Sequence, residues 1–126
     1  MKKYFKKNQK GFTLIEIIAV LIILGILAAV AVTKFMSLTE EAQKKALNGA
    51  VAEGLSTCNL CFGKLALSNG TAPSTPDVKG CASSNPPASD DFSYSFTQGD
   101  DGITVTVTHK GESWGSASGT WENPNQ

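Results

Sequence analysis

The sequence has 126 residues, enough for one small domain, and its apolar N-terminal third is separated from a remainder rich in Ser, Thr, Gly and Asp. Five of the eleven Lys lie in the first eleven residues, so the other 115 carry six Lys against eleven acidic residues, a net charge of −5. The acidic balance and the absence of Arg argue against a clustered basic surface, and we predict no nucleic-acid contact by the isolated domain. One His and scattered acids supply no catalytic set, so we expect no enzyme activity and no cofactor.

An apolar segment follows the basic residues. Residues 12–32 contain a single charged side chain, Glu16, and as a helix they would span roughly 31 Å, close to the thickness of a bilayer's hydrocarbon core. The basic residues before the segment predict a cytoplasmic N-terminus and an outward-facing C-terminal body. A secretory signal also begins in this way, and residues 28–31 could form its cleavage site. Hydropathy alone therefore leaves a cleaved signal or a plain single-pass anchor open.

Glu16 separates these alternatives. An unpaired carboxylate in an apolar span raises the free energy of membrane insertion by up to about 2.5–3.5 kcal/mol, so we expect the carboxylate to have a partner. Residues 10–16, Lys-Gly-Phe-Thr-Leu-Ile-Glu, resemble the cleavage motif of type IV prepilins and of type II secretion pseudopilins. The resemblance implies a cleaved basic leader at residues 1–11, with prepilin peptidase cutting between Gly11 and Phe12. It also implies that Phe12 is N-methylated and that Glu16 aligns subunits. A cationic mature N-terminus beside Glu16 would relieve the burial cost of both charges and set the register of a helical polymer.

Residues 12–33 are accordingly expected to anchor the chain in the bacterial inner membrane and then to form the core of a filament. The positions taken to represent this core are Leu14, Ile17, Val20, Leu24, Gly25, Leu27 and Val30. Many type IV pilins carry Pro at the position of Thr33; since the first Pro here is Pro73, we predict a straighter helix with Gly25 as its weak point. The resemblance implies other copies of the chain, prepilin peptidase, an inner-membrane assembly platform and minor pilins as partners.

The next segment, residues 34–69, is amphipathic. Its apolar side chains recur at helical spacing at Leu47, Val51, Leu55, Cys58, Phe62 and Leu65. Ser68, Asn69 and Gly70 are typical of a helix end. We predict one long helix over about residues 13–67, although a capping-box pattern at residues 37–40 offers an alternative restart.

The remaining residues predict a loop and a sheet. Residues 70–91 hold four of the five Pro and no hydrophobic periodicity, which favours a loop between helix and sheet. Residues 92–126 show alternating apolar side chains and two turns, which predict an antiparallel meander of about three strands packed on the helix. The fold class is therefore α+β, and this architecture is also what the pilin resemblance implies.

The three Cys are compatible with several kinds of site. Cys58 and Cys61 have the spacing of a redox motif but lie late in a helix, and zinc would lack a fourth ligand beyond His109. A disulfide from the helix to Cys81 would close a loop of about twenty residues and stabilise the fold by about 3 kcal/mol. Cys61 is favoured as the partner because Cys58 lies in the middle of the apolar face, with Cys58 as the alternative. Calcium at residues 98–101 is possible, but the plain turn is favoured and no metal is predicted.

The leading interpretation is a structural subunit of a type IV pilus-like extracellular filament used in adhesion, motility or uptake. Lys34, Phe35 and residues 42–54 resemble the mannose-sensitive-haemagglutinin type of pilin. The alternative within the family is a pseudopilin, whose short filament in the periplasm serves type II secretion. A third interpretation, from another class, is a single-pass membrane anchor carrying a periplasmic binding domain.

Overall fold

The computed structural model describes residues 11–125. They form two helices, α1 (Leu14–Asn69) and α2 (Thr75–Ser84), followed by three strands, β1 (Phe92–Gly99), β2 (Gly102–His109) and β3 (Ser116–Trp121). The chain divides into two units between Leu38 and Thr39, and α1 contributes residues to both. This boundary lies five residues beyond the one drawn from the sequence at residue 33.

The first unit consists, within the described residues, of Gly11 to Leu38. Its helical part has side chains that are exposed throughout. A helix is the expected conformation here, because the segment is rich in Leu, Ile and Ala and contains no Pro. This unit buries no core of its own.

The second unit is built on the C-terminal half of α1, and the apolar face predicted there is confirmed. Leu47, Val51 and Cys58 are buried, while Leu55, Phe62 and Leu65 are half-buried against the same cluster. The helix ends as expected near Gly70, which has φ +67° and donates its N–H to the Ala66 carbonyl at 3.0 Å. The single helix of the prediction is thus confirmed, with its end two residues later than expected and no break at residues 37–40.

The prediction of a loop over residues 70–91 is wrong for its middle part, which forms α2. Ser74 precedes the helix and donates its backbone N–H to the Asp77 carboxylate at 3.3 Å, and Pro76 occupies the first turn, where its missing N–H costs nothing. Val78 and Ala82, one turn apart, are buried in the core. The short Ser-x-x-Asp start and this apolar pair are the signals that the Pro content obscured.

The three strands form an antiparallel sheet in the order β1-β2-β3, which confirms the predicted meander. Its inner face packs on α1 through Phe96, Val105 and Gly119, which share one row of the register. The helix and the sheet approach closely at two glycines, which have no Cβ. A Cβ on Gly54 would lie 2.5 Å from Val105 Cγ1, and one on Gly119 would lie 2.8 Å from Val51 Cγ1. Larger residues at either glycine would push helix and sheet apart.

The C-terminal residues fasten this unit together. Trp121 is buried, and its Nε1 donates to Asn59 Oδ1 on α1 at 2.7 Å. Asn123 is also buried and donates from Nδ2 to the Pro73 carbonyl at 3.2 Å. The end of the sheet is thereby linked both to α1 and to the segment before α2.

Candidate processing and assembly site

The predicted cleavage position lies immediately before α1. Gly11 and Phe12 have no regular secondary structure, Gly11 has no neighbour within 4 Å of its Cβ position, and Phe12 is 84% exposed. The peptide bond between them is therefore on exposed, non-helical backbone, which is what a peptidase needs. The rest of the predicted leader, residues 1–10, lies outside the described residues.

Thr13 and Glu16 form a reciprocal pair at the start of α1. The Thr13 N–H donates to Glu16 Oε2 at 2.8 Å, and the Glu16 N–H approaches Thr13 Oγ1 at 3.4 Å. This is a capping box, in which two amides left unpaired by the helix start are satisfied by side chains. The carboxylate also lies in the first turn, where the helix dipole favours negative charge. This capping role of Glu16 was not predicted, although Thr-x-x-Glu before an apolar run is its sequence signal.

The predicted core positions follow on the same helix, and all are exposed. Leu14 is 79% exposed and Val30 60%, with Ile17 the least exposed at 46%. Among the described residues, α1 is long and apolar enough to cross a membrane by length and composition. Thr33, where many pilins carry Pro, lies within α1, so the helical backbone continues through this position. Its hydroxyl donates to the Val30 carbonyl at 2.9 Å.

Comparison with known proteins identifies the segment. The family model of the prokaryotic N-terminal methylation motif matches residues 6–32. These residues carry that motif. The chain is also 35% identical over 68 residues to the type IV narrow pilus major component PilA5 of Thermus thermophilus, covering 44% of this chain and 59% of the relative.

Two further relatives are type II secretion system core proteins G. The protein of Aeromonas hydrophila is 48% identical over 48 residues, which cover 37% of this chain and 34% of the relative. The protein of Pseudomonas aeruginosa is 46% identical over 46 residues, which cover 36% of this chain and 32% of the relative. The chain thus spans between about a third and three fifths of these relatives, and no solved structure matches it at a significant level. Over these matched segments the chain is similar to a type IV pilin and to type II secretion core proteins, and its α+β arrangement is pilin-like.

The three cysteines lie in the second unit. Cys61 and Cys81 form a disulfide with a Cα–Cα distance of 5.8 Å and a separation of 20 residues, the pairing that the sequence favoured. Cys58 is a free, fully buried thiol, and burial raises its pKa to about 11. A thiol with this pKa is protonated at neutral pH and is a poor nucleophile, so it behaves as a core residue.

An acidic cleft borders the turn between β1 and β2. Asp100, Asp101, Glu122 and Asn123 line a space of about 310 Å³. Within residues 11–125 no group of three His, Cys, Asp or Glu side chains is placed to hold a metal ion.

The two Trp differ in their environment. Trp121 lies in the core, where its ring is 5.9 Å from that of Phe62. Trp114 is half-buried, stacks on His109 with ring centroids 4.0 Å apart, and donates from Nε1 to Glu112 at 2.8 Å. His109 Nδ1 in turn accepts the Glu112 N–H at 2.9 Å, which orders the β2–β3 turn.

Proposed function

We propose that this chain is a structural subunit of a type IV pilus-like filament. The observation that carries the proposal is the exposed apolar segment of α1, which lies largely within the residues matching the methylation motif and is not buried by any other part of the described chain. In the inner membrane, lipid would cover this segment, with the N-terminus cytoplasmic as the basic leader favours. In a filament, the same side chains would pack against those of other copies.

Processing is proposed to change the partner of Glu16. Before cleavage, its carboxylate accepts the Thr13 amide. A cut between Gly11 and Phe12 creates an amine whose nitrogen is three covalent bonds from the Thr13 amide nitrogen, and N-methylation keeps the amine basic. In the assembled filament the Glu16 carboxylate would then pair with the amine of a neighbouring copy, which fixes the axial offset between subunits.

Intact-protein mass spectrometry tests the processing step on protein purified from the native membrane. We expect a mature chain that begins at methylated Phe12. A mature chain that retains Lys2 to Gly11, or one that begins beyond Ala31, would falsify the proposal and favour a plain anchor or a secretory signal respectively.

Substitution of Glu16 tests its role in assembly. We expect Glu16→Ala to leave cleavage largely intact and to reduce filament yield strongly, because the amine loses its partner. Thr13→Ala removes only the hydroxyl half of the capping box. We expect it to lower helix stability by about 0.5–2 kcal/mol, the cost of a lost cap. Glu41→Ala, on an exposed part of the same helix, is the matched charge control. Normal filament yield from Glu16→Ala would leave the acid without the proposed role.

A pseudopilin is the second candidate, favoured by the two core proteins G that are 46–48% identical over their matched segments. The location of the filament separates the two candidates. Filaments sheared from the cell surface support the pilus, whereas filaments confined to the periplasm, together with a secretion defect on deletion, support the pseudopilus. If the chain is instead a membrane-anchored binding domain, the mature protein should form neither surface filaments nor periplasmic filaments.

A further inference from the structure

The sheet surface that faces away from α1 is composed entirely of hydroxyl side chains. The register of the three strands aligns these residues in rows of three. The central row is Ser95, Thr106 and Ser118. The flanking rows are Ser93, Thr108 and Ser116 on one side and Thr97, Thr104 and Thr120 on the other. We call these nine residues the hydroxyl face. Strand geometry separates neighbours by about 5 Å across strands and about 7 Å along them.

The hydroxyl face is open and uncharged. Seven of its residues are exposed and Thr104 and Thr106 are half-buried. None of the nine hydroxyls hydrogen-bonds to another side chain or backbone group within residues 11–125. Charged residues make up 17% of the chain, yet none occurs here, although charged side chains on exposed sheets ordinarily keep separate copies from associating.

We propose that the hydroxyl face is a lateral contact surface whose partner is the same face on a second copy of this chain. An interface between identical surfaces must be complementary to itself. A hydroxyl satisfies this condition because it both donates and accepts hydrogen bonds, whereas a charged group repels its own copy. Residues 12–126 carry a net charge of −5, so the uncharged face is where two copies approach with the least repulsion.

The size of the face defines where this contact matters. Three strands by five residues give on the order of 250 Å² per copy, well below the roughly 800 Å² per partner of a stable interface. A single pair of copies should therefore not form a lasting dimer. Many copies displayed together would associate through multivalency, which multiplies weak contacts without new ones. Subunits of adjacent filaments would then meet through this face and hold the filaments side by side. This step rests on the proposed filament function.

The test uses the full chain in phosphatidylcholine vesicles, so that it does not depend on filament formation. We expect vesicles bearing the wild-type chain to cluster, measured by light scattering, and to cluster faster when salt screens the acidic bodies. Thr106→Glu or Thr106→Lys, at the centre of the face, should each slow clustering by at least about tenfold through like-charge repulsion. Mixing the Glu and Lys vesicles should restore clustering, because opposite charges then meet across the interface.

Two sets of variants control for folding and net charge. Ser118→Glu and Ser118→Lys place the charges on an edge strand, where the fold tolerates them more easily, and should reproduce the effect and its rescue. Ser56→Glu and Ser56→Lys change net charge equally on an exposed turn of α1 and should leave clustering unchanged. In cells, Thr106→Glu filaments should form in normal amount but remain single, whereas wild-type filaments lie side by side. Absence of filaments from wild-type cells would instead count against the filament function.

Several outcomes would overturn the proposal. Wild-type vesicles that stay dispersed, clustering that Thr106→Glu does not slow, or a Glu and Lys mixture that stays dispersed would each show that copies do not meet through this face. Dispersed vesicles that sediment with microcrystalline cellulose would assign the face to a neutral polysaccharide. A hydroxyl-linked glycan on the face, visible as added mass on its peptides, would also exclude direct contact between copies.

Discussion

The two units of this chain solve opposite physical problems. The described part of the first, up to Leu38, has exposed apolar side chains and no buried core. The second, from Thr39, buries its apolar side chains, closes a disulfide and satisfies the polar groups of Trp121 and Asn123 within itself. The second unit can therefore be stable by its own contacts, whereas the first requires lipid or other copies to cover it.

Substitutions should therefore have different effects in the two units. Substitutions in the second unit should alter its free energy of unfolding and leave membrane insertion of residues 14–38 unchanged. Both Trp, at positions 114 and 121, lie in the second unit, so tryptophan fluorescence during urea unfolding of the full chain in detergent reports on this unit.

The largest effect is expected from Gly102→Ala. Gly102 has φ +143°, and a Cβ there would lie 2.0 Å from the Trp121 carbonyl oxygen, so the backbone itself would have to move. We expect the free energy of unfolding to fall by about 4 kcal/mol. Gly25→Ala is the control from the first unit, since nothing lies within 4 Å of its Cβ position. An equal loss of stability from Gly25→Ala would show that the units are not independent.

Removal of the disulfide should have the next largest effect. The Cys61→Ala/Cys81→Ala variant loses the constraint on a 20-residue separation, and we expect about 3 kcal/mol of destabilisation. Carbonate extraction should still find the variant in the membrane, because the first unit is untouched. Peptide mapping of the unreduced wild type provides the check on pairing: a bridge from Cys58 to Cys81 would contradict the structure.

The smallest of the three effects concerns alkaline pH. Burial raises the pKa of Cys58 from 9.0 to about 11, so the unfolded thiol loses its proton first as pH rises. The stability associated with this thiol is fully present below pH 9 and is lost as pH rises through about 11. Between pH 8 and 10 we expect a loss of about 1 kcal/mol in the wild type that Cys58→Ala does not show. Identical pH profiles for the two proteins would mean that the buried thiol is not responsible.

The features that could be predicted from the sequence are those with strong local signals. Glu16 within an apolar span and the residues around it identified the motif, and the periodicity of Leu47, Val51 and Cys58 defined the packed face of α1. The alternation in β1 and β2 and the Gly-containing turns defined the meander. Each of these patterns depends on neighbours within a few residues, which is why they can be read without a structure.

Other features were decided only by the tertiary structure. The helix α2 is short and Pro-containing, so its Ser-x-x-Asp start and its apolar pair are weak local signals. Burial of Val78 and Ala82 against the core stabilises it. The hydroxyl face likewise requires the pairing register, since its members come from three strands separated by turns. Local patterns fix which residues are helical or extended; burial and register, which join distant residues, fix which surfaces those residues build.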